Sequence, residues 1–271
     1  MFYAFYRKAI AVINSIKIFF SSLAFLPFTT WLSFWLTFPE EITVSIDNIP
    51  IIIRTRTLPV KIVDLYMATS CIRARQYTPP GFEIRTSDTV IDIGAHIGSF
   101  SLLVARNAPN GRVLSFEPDP DNYAQLTKNI NASGTKNVVA RQYAVSAKRG
   151  TITFQRDRLN TAESSLYKKG TETVEVTSTT LEDIFKQENI KICNYLKLDC
   201  EGAEYEILFS APKELFLRVE KIVMECHAPQ FFGINDKKCS YDNMITFLKN
   251  LGYKTRVVRE NAMHNLIFAK R

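Results

Sequence analysis

Two groups of residues in this chain have the types and spacing for chemistry. In the first, the apolar run Val90-Ile91-Asp92-Ile93 stops in a turn bracketed by Gly94 and Gly98, and a helix pattern begins at Ser99. The next apolar run, Val113-Leu114-Ser115-Phe116, ends in Glu117, nineteen residues after Gly98. A strand, a glycine turn, a helix and an acid at the tip of the second strand make a nucleotide-binding βαβ unit. The glycines let the backbone approach a ligand without Cβ interference. The acid suits the two hydroxyls of a ribose. A dinucleotide site needs Gly-x-Gly-x-x-Gly, with the pyrophosphate on the helix N-terminus. Here His96 and Ser99 stand where the second and third glycines belong, so the loop is not built for a pyrophosphate.

The second group lies further on, in Lys197-Leu198-Asp199-Cys200-Glu201-Gly202 and Met224-Glu225-Cys226-His227. Both follow apolar runs that read as strands, and open α/β sheets bind ligands beyond the carboxyl ends of their strands. Asp199 and Glu201 lie two apart, as do Glu225 and His227, so each pair can face one way. On adjacent strands the pairs bring three carboxylates and an imidazole together. His227 is the candidate general base, because imidazole titrates near neutral pH. Glu225 or Asp199 is the candidate orienting group. A divalent cation held by Asp199, Glu201, Glu225 and His227 is the alternative, but no metal ligand is assigned. The plainer readings are that Asp199 and Glu201 cap the helix that follows, and that His227 bonds only to backbone. Lys197 is expected to pair with an acid.

The elements that must position these groups follow from the pattern. Ile42 to Ile46 and Pro50 to Arg54 alternate around Asp47-Asn48, a hairpin signal. Val63 to Cys71 reads as a helix. After Tyr77-Thr78-Pro79-Pro80-Gly81, a break, come the βαβ unit, a helix opened by Pro120 and a strand from Val138 to Val145. Thr151 to Gln155 and Thr173 to Thr177 suggest an inserted antiparallel hairpin with a polar tip at Asn160 to Gly170. A short helix through Phe185 is capped by Thr179 or Thr180; Thr179-x-x-Glu182 has capping-box spacing. Tyr195 to Leu198 and Lys221 to Cys226 are strands separated by the helix Ala203 to Phe209. Tyr241 to Leu251 is a helix closed by Gly252, and Tyr253 to Val258 and Asn265 to Ala269 are the last strands. Repeated strand–helix alternation implies an α/β fold with a parallel sheet and helices on both faces. The chain divides into an N-terminal apolar helical segment and β-hairpin cap, 1–81, and a Rossmann-like domain, 82–271.

Composition narrows the partners. The 271 residues carry a net charge of +7, and 46% hydrophobic content is ample for a core. The excess charge is scattered, as at Lys168, Lys169, Lys237 and Lys238. Without a dense arginine block or an aromatic-interleaved patch, this argues for a solvated positive surface and against nucleic acid. Five cysteines, an odd number with no Cys-x-x-Cys, read as free thiols in a reducing compartment, without zinc. From Ile18 to Phe38 no residue is charged, a length that can span a bilayer. Pro27 and six Ser or Thr residues point instead to two short helices meeting at Leu26-Pro27. They pack as a cap or lie in a membrane interface. The expected location is cytoplasmic, with peripheral membrane contact through 18–38 left open.

Asp92-x-Gly94-Ala95-x-x-Gly98 resembles motif I of the Rossmann-like methyltransferases, whose ligand is S-adenosylmethionine. Phe116-Glu117-Pro118, Ala144-Val145-Ser146, Thr180-Leu181-Glu182-Asp183, Leu196-Lys197-Leu198-Asp199-x-Glu201-Gly202-Ala203-Glu204 and Glu225-x-His227 extend the resemblance to the FkbM family of methyltransferases. It covers Val90 to Arg271, about two thirds of the chain. His96 stands where the family commonly has Asn. The resemblance implies a class I methyltransferase fold: a mostly parallel seven-stranded sheet with an antiparallel C-terminal edge. It implies cofactor contacts at Asp92, Gly94, His96, Gly98, Ser99, Glu117, Pro118, Ala144 and Asp199. Asp92 is expected there as a counter-charge to the cofactor's ammonium and sulfonium. It also implies methyl transfer to oxygen, on a saccharide or a polyhydroxylated small metabolite, with Asp199, Glu201, Glu225 and His227 as catalytic candidates. Two rival functions remain open, a nucleic-acid methyltransferase and a membrane-associated binding protein that kept the fold without turnover.

Overall fold

A computed structural model describes residues 16–156 and 172–271. The sheet that carries the site has seven strands: β3 (Thr89–Ile93), β4 (Arg112–Phe116), β5 (Val138–Arg141), β9 (Tyr195–Leu198), β10 (Lys221–His227), β11 (Lys254–Arg259) and β12 (His264–Lys270). Their order is β11-β12-β10-β9-β3-β4-β5. β3, β4, β5, β9 and β10 pair in parallel, and β12 runs antiparallel to both β10 and β11. The sequence expectation of a Rossmann-like sheet with an antiparallel C-terminal edge holds. The order places β3 beside β9, so the glycine loop and the carboxylates after Leu198 emerge side by side.

Helices α4 (Ser99–Asn107), α5 (Pro120–Ser133), α6 (Leu181–Gln187), α7 (Glu204–Ser210) and α8 (Tyr241–Asn250) are the other main elements of this unit. One core cluster joins Leu196, Leu198, Met224 and Ile267 of the sheet to Tyr205, Leu208, Met244 and Leu248 of α7 and α8. Two elements differ from the sequence reading, and a third is settled between its alternatives. The run Val138 to Val145 is two strands: β5 stays in the main sheet, while β6 (Ala144–Val145) pairs with β8 (Glu172–Thr179). β8 in turn pairs antiparallel with β7 (Gly150–Arg156). The polar tip expected at 160–170 lies outside the described residues. Thr180 is the cap of α6, its Oγ1 accepting from Asp183 N–H at 3.0 Å, so the Thr179-x-x-Glu182 spacing was not the operative one. The helix expected from Val63 starts earlier, as α3 (Leu58–Ala68). Thr57 caps it and Pro59 occupies the first turn, where a missing N–H costs nothing.

Ahead of α3, a helix at 16–22 and α2 (Phe28–Leu36) meet around Pro27, as the sequence predicted. Trp31 Nε1 donates to the Phe19 carbonyl and Trp35 Nε1 to Ser22 Oγ, fixing one helix on the other. Among the described residues no helix is long and apolar enough to cross a membrane. The hairpin β1 (Glu41–Ile46) and β2 (Ile49–Arg54) turns through Asp47 and Asn48. Both have positive φ, 48° and 61°, the backbone that short hairpin turns require. Its face, Val44, Ile46, Ile51 and Ile53, shares a core with Leu102, Leu103, Leu126 and Ile130 of α4 and α5. Asn129 and Gln125 of α5 also bond both backbone groups of Ile52. The N-terminal unit is thereby fixed directly behind the glycine loop.

Candidate active site

The loop after β3 is held by its neighbours on both sides. Gly94 N–H and Ala95 N–H donate to the Phe116 carbonyl, and Asp199 N–H donates to Ile93. Gly94 has φ +77°, and a Cβ there would lie 1.7 Å from the Asp199 carbonyl oxygen. Only glycine permits that approach. Gly98 has φ +91° and packs on Leu126.

A cleft of about 600 Å³, including its open mouth, lies over these strand ends. Gly94, His96, Glu117, Pro118, Ala144, Asp199 and Glu201 line it, with Met67, Phe116, Val145 and Phe154 as apolar walls. Glu117 faces the loop: it accepts from His96 N–H at 2.7 Å and from Asp119 N–H at 3.0 Å. Burial, reinforced by Asp119, pushes its carboxyl up to about 7.

Asp92, Gly98 and Ser99 stand behind the cleft rather than on it. Asp92 is fully buried and pairs with Lys197 Nζ at 3.1 Å, while Ser101 Oγ donates to it at 2.6 Å. Its charge is therefore matched inside the protein, and the expectation that it faces a cationic ligand gives way. Lys197 also donates to the Gly94 carbonyl at 2.7 Å. The pair thus supports the loop from below, as the sequence reading of Lys197 anticipated. Burial opposes the charge on Lys197, but Asp92 and Asp199 outweigh it and raise its pKa.

His96 has φ +50°, a strained conformation for a residue with a ring. It is held from the N-terminal unit. Buried Arg54 donates to Asp64 through Nε at 2.8 Å and through its terminal nitrogen at 2.7 Å. That same nitrogen lies 3.4 Å from His96 Nε2. Burial, with Arg54 adding to it, lowers the His96 pKa to about 4. The imidazole is neutral and accepts from Arg54. Asp64, Arg54, His96 and Glu117 form one connected chain.

At the other end of the cleft Asp199 and Glu201 line the wall, and buried Glu225 and His227 converge on them from behind. His227 Nε2 is 3.6 Å from Glu201 and 3.9 Å from Glu225. The group that orients the imidazole is neither Glu225 nor Asp199. It is Glu204, fully buried, 2.9 Å from Nδ1. Glu204 also accepts from the N–H groups of Cys200 and Gly202. The N-terminus of α7 has no side-chain cap, so Asp199 and Glu201 are not its caps. Because Glu204 takes the Nδ1 proton, Nε2 is the atom turned toward Glu201 and Glu225. Burial lowers the His227 pKa, but Glu204, Glu201 and Glu225 outweigh it and hold the pKa well above the usual value. Burial and Asp199 push Glu225 up to about 7.

Tyr77, Gln76 and His264 join the site without any signal in the sequence pattern. The Tyr77 hydroxyl lies 2.8 Å from both Asp199 and Glu225 and gives its single proton to one at a time, and Gln76 Nε2 donates to the same Glu225 oxygen at 2.7 Å. Tyr77 is buried against Phe100, and the Tyr195 hydroxyl donates to its carbonyl. His264, on β12, lies opposite His227 in the strand register, 3.7 Å from Glu225.

The residues present fit S-adenosylmethionine. Glu117, anchored by backbone N–H groups, offers acceptors for a ribose. The apolar walls suit an adenine ring, and Asp199 and Glu201 bring negative charge toward a sulfonium. Buried Ser99 Oγ at the start of α4 has no hydrogen-bond partner among the described residues.

Comparison with known proteins agrees with this geometry. Residues 92–255 match the family described as the methyltransferase FkbM domain. The chain is 25% identical over 191 residues to the hexuronic acid methyltransferase AglP of Haloferax volcanii, covering 70% of this chain and 73% of that protein. It is 29% identical over 185 residues to the 31-O-demethyl-FK506 methyltransferase FkbM of Streptomyces tacrolimicus, covering 56% and 70%. It is 27% identical over 172 residues to the methyltransferase sdnD of Sordaria araneosa, covering 52% of this chain and 66% of that protein. From the glycine loop through the strand-end carboxylates, the chain belongs to the FkbM family of S-adenosylmethionine-dependent methyltransferases.

Proposed function

We propose that this protein methylates a hydroxyl oxygen on a saccharide or another polyhydroxylated small metabolite. The observation that carries this reading is His227: its Nδ1 is locked by buried Glu204, and its Nε2 faces Glu225 and Glu201, the latter on the cleft wall. The name of one relative, a hexuronic acid methyltransferase, supports a saccharide, and that of another, for a 31-O-demethyl substrate, supports oxygen as the acceptor. S-adenosylmethionine supplies an electrophilic methyl carbon on a sulfonium. In the in-line displacement, the acceptor oxygen forms the new C–O bond as the C–S bond breaks, and sulfur keeps the electron pair. The hydroxyl proton must go to a base. A positive charge entering beside Asp199 and Glu201 favours proton loss from the imidazole, freeing Nε2 to act.

Methyl-labelled cofactor incubated with the protein and a cell extract, followed by identification of the labelled product, tests the reading. His227→Ala is expected to keep cofactor affinity and to lower turnover by about 10²–10⁴-fold, the range of a lost general base. Label appearing on a nitrogen, or on RNA, overturns it.

The reading extends to peripheral contact with an anionic membrane surface. Phe20, Phe28, Leu36 and Phe38 are exposed on the two N-terminal helices and the segment after them. Lys17 lies beside them, and the net charge is +7. An apolar face combined with positive charge suits such a surface.

A further inference from the structure

The acceptor end of the cleft holds more ligand chemistry than proton transfer requires. Glu225, His227 and His264 each direct one donor atom into a common space, all within 4.8 Å of one another, and Asp199 and Glu201 do the same with His227. Both sets share the His227 imidazole.

We propose that Glu225, His227 and His264, with Asp199 and Glu201 beside them, form a divalent-cation site at the acceptor end of the cleft. Two donors bound to one ion at ~2.1 Å lie about 3–3.5 Å apart. Glu225 Oε2 is 3.9 Å from His227 Nε2 and 3.7 Å from His264 Nε2. These distances are too long for hydrogen bonds and within about half an ångström of a shared ligand sphere.

The supporting groups have the form expected around metal ligands. His227 is held at Nδ1 by the buried Glu204 carboxylate, the arrangement that fixes a ligating imidazole and turns its other nitrogen to the ion. Glu225 Oε1 receives Tyr77 and Gln76, which leaves Oε2 as the oxygen facing both imidazoles. Asp199 is held by the same tyrosine. His264 Nε2 has one competing contact, Asn261 Nδ2 at 3.4 Å, at the long end of the range and readily displaced. Lys197 lies closer to Asp92 than to Asp199 (3.1 Å against 3.9 Å), so its charge serves Asp92 first and reaches the edge of the cluster only at Asp199. Two imidazoles among carboxylates favour Mn²⁺ or Zn²⁺ over Mg²⁺ or Ca²⁺, which prefer oxygen alone. For its role this inference rests on the O-methylation reading: with His227 Nε2 on the ion, the ion would lower the pKa of the acceptor hydroxyl, and the proton would go to Asp199 or Glu201 in place of the imidazole.

The test is uptake of Mn²⁺ by chelator-stripped full-length protein, followed by electron paramagnetic resonance, with Zn²⁺ as competitor. Cofactor affinity of each variant is measured separately by calorimetry. The wild type is expected to bind one ion per chain. Tyr77→Phe should weaken ion affinity about 10–100-fold, as loss of an outer-shell partner does, and His264→Ala should weaken it further. Both should retain cofactor binding, which reports an intact fold. No uptake of either ion, or uptake unchanged in His264→Ala, overturns the site. Ion uptake without methylation of any hydroxyl acceptor upholds the site and refutes the substrate reading. Hydroxyl methylation by protein that takes up no ion does the reverse.

Discussion

Replacing Glu117 with glutamine isolates the contribution of one carboxylate to cofactor affinity. Glu117 lines the cleft, and two backbone N–H groups, from His96 and Asp119, hold it in place. Ribose hydroxyls donate best to the ionised form, and a hydrogen bond to a charged acceptor contributes about 1.5–3 kcal/mol. Burial raises the Glu117 carboxyl to about 7 in the free protein, so the charge is gained as pH rises through neutrality. Affinity should therefore climb with pH and flatten above about 7. Between pH 8 and pH 6 the dissociation constant should grow about ten-fold, since each unit below the pKa removes about 1.4 kcal/mol. Glu117→Gln should lose roughly 30- to 150-fold at pH 8, equivalent to about 2–3 kcal/mol, and should lose the slope as well. Calorimetric titration of S-adenosylmethionine at pH 6, 7 and 8 measures both effects. Glu225 titrates in the same window, so Glu225→Gln is the matched control and should keep the Glu117 slope. A wild-type constant independent of pH, or a Glu117→Gln protein that keeps the dependence, refutes the assignment of Glu117 to the ribose.

Two further outcomes are expected. Asp64→Ala strands the buried Arg54 guanidinium, and breaking a buried pair costs about 3–5 kcal/mol. For a chain of this size that lowers Tm by about 6–20 °C. Cofactor affinity should also fall, because Arg54 supports His96, whose N–H meets Glu117; thermal melts and calorimetry on the variant report both. Paired substitution Phe28→Ser and Leu36→Ser removes two exposed apolar side chains. It should reduce co-sedimentation with anionic vesicles about 30-fold if together they contribute ~2 kcal/mol of insertion. Unchanged co-sedimentation removes 18–38 as the contact.

What the sequence revealed, and what it hid, follows from how local each feature is. The βαβ unit was legible because its signals are contiguous: a glycine turn, a helix start at Ser99 and an acid at a strand end all fall within one short stretch. The convergence of Asp199, Glu201, Glu225 and His227 was legible for a related reason. Alternation along a strand fixes which residues face together, and parallel neighbours bring their carboxyl ends level. The partners of these residues were not legible, because they come from distant segments. Tyr77 sits in a stretch that reads as a break, and it reaches Glu225 across 148 positions. The exchange of roles between Asp92 and Glu204 was equally hidden. Both acids flank a motif, and their separation in sequence cannot say which one meets a lysine in the core and which one meets an imidazole. That difference decides the chemistry. Asp92 matched by Lys197 is a structural support under the loop. Glu204 on His227 Nδ1 fixes the ring and turns Nε2 toward Glu201 and Glu225. The cleft is therefore divided: at one end an acid, Glu117, held by backbone N–H groups, and at the other Asp199 and Glu201 with an imidazole packed behind them.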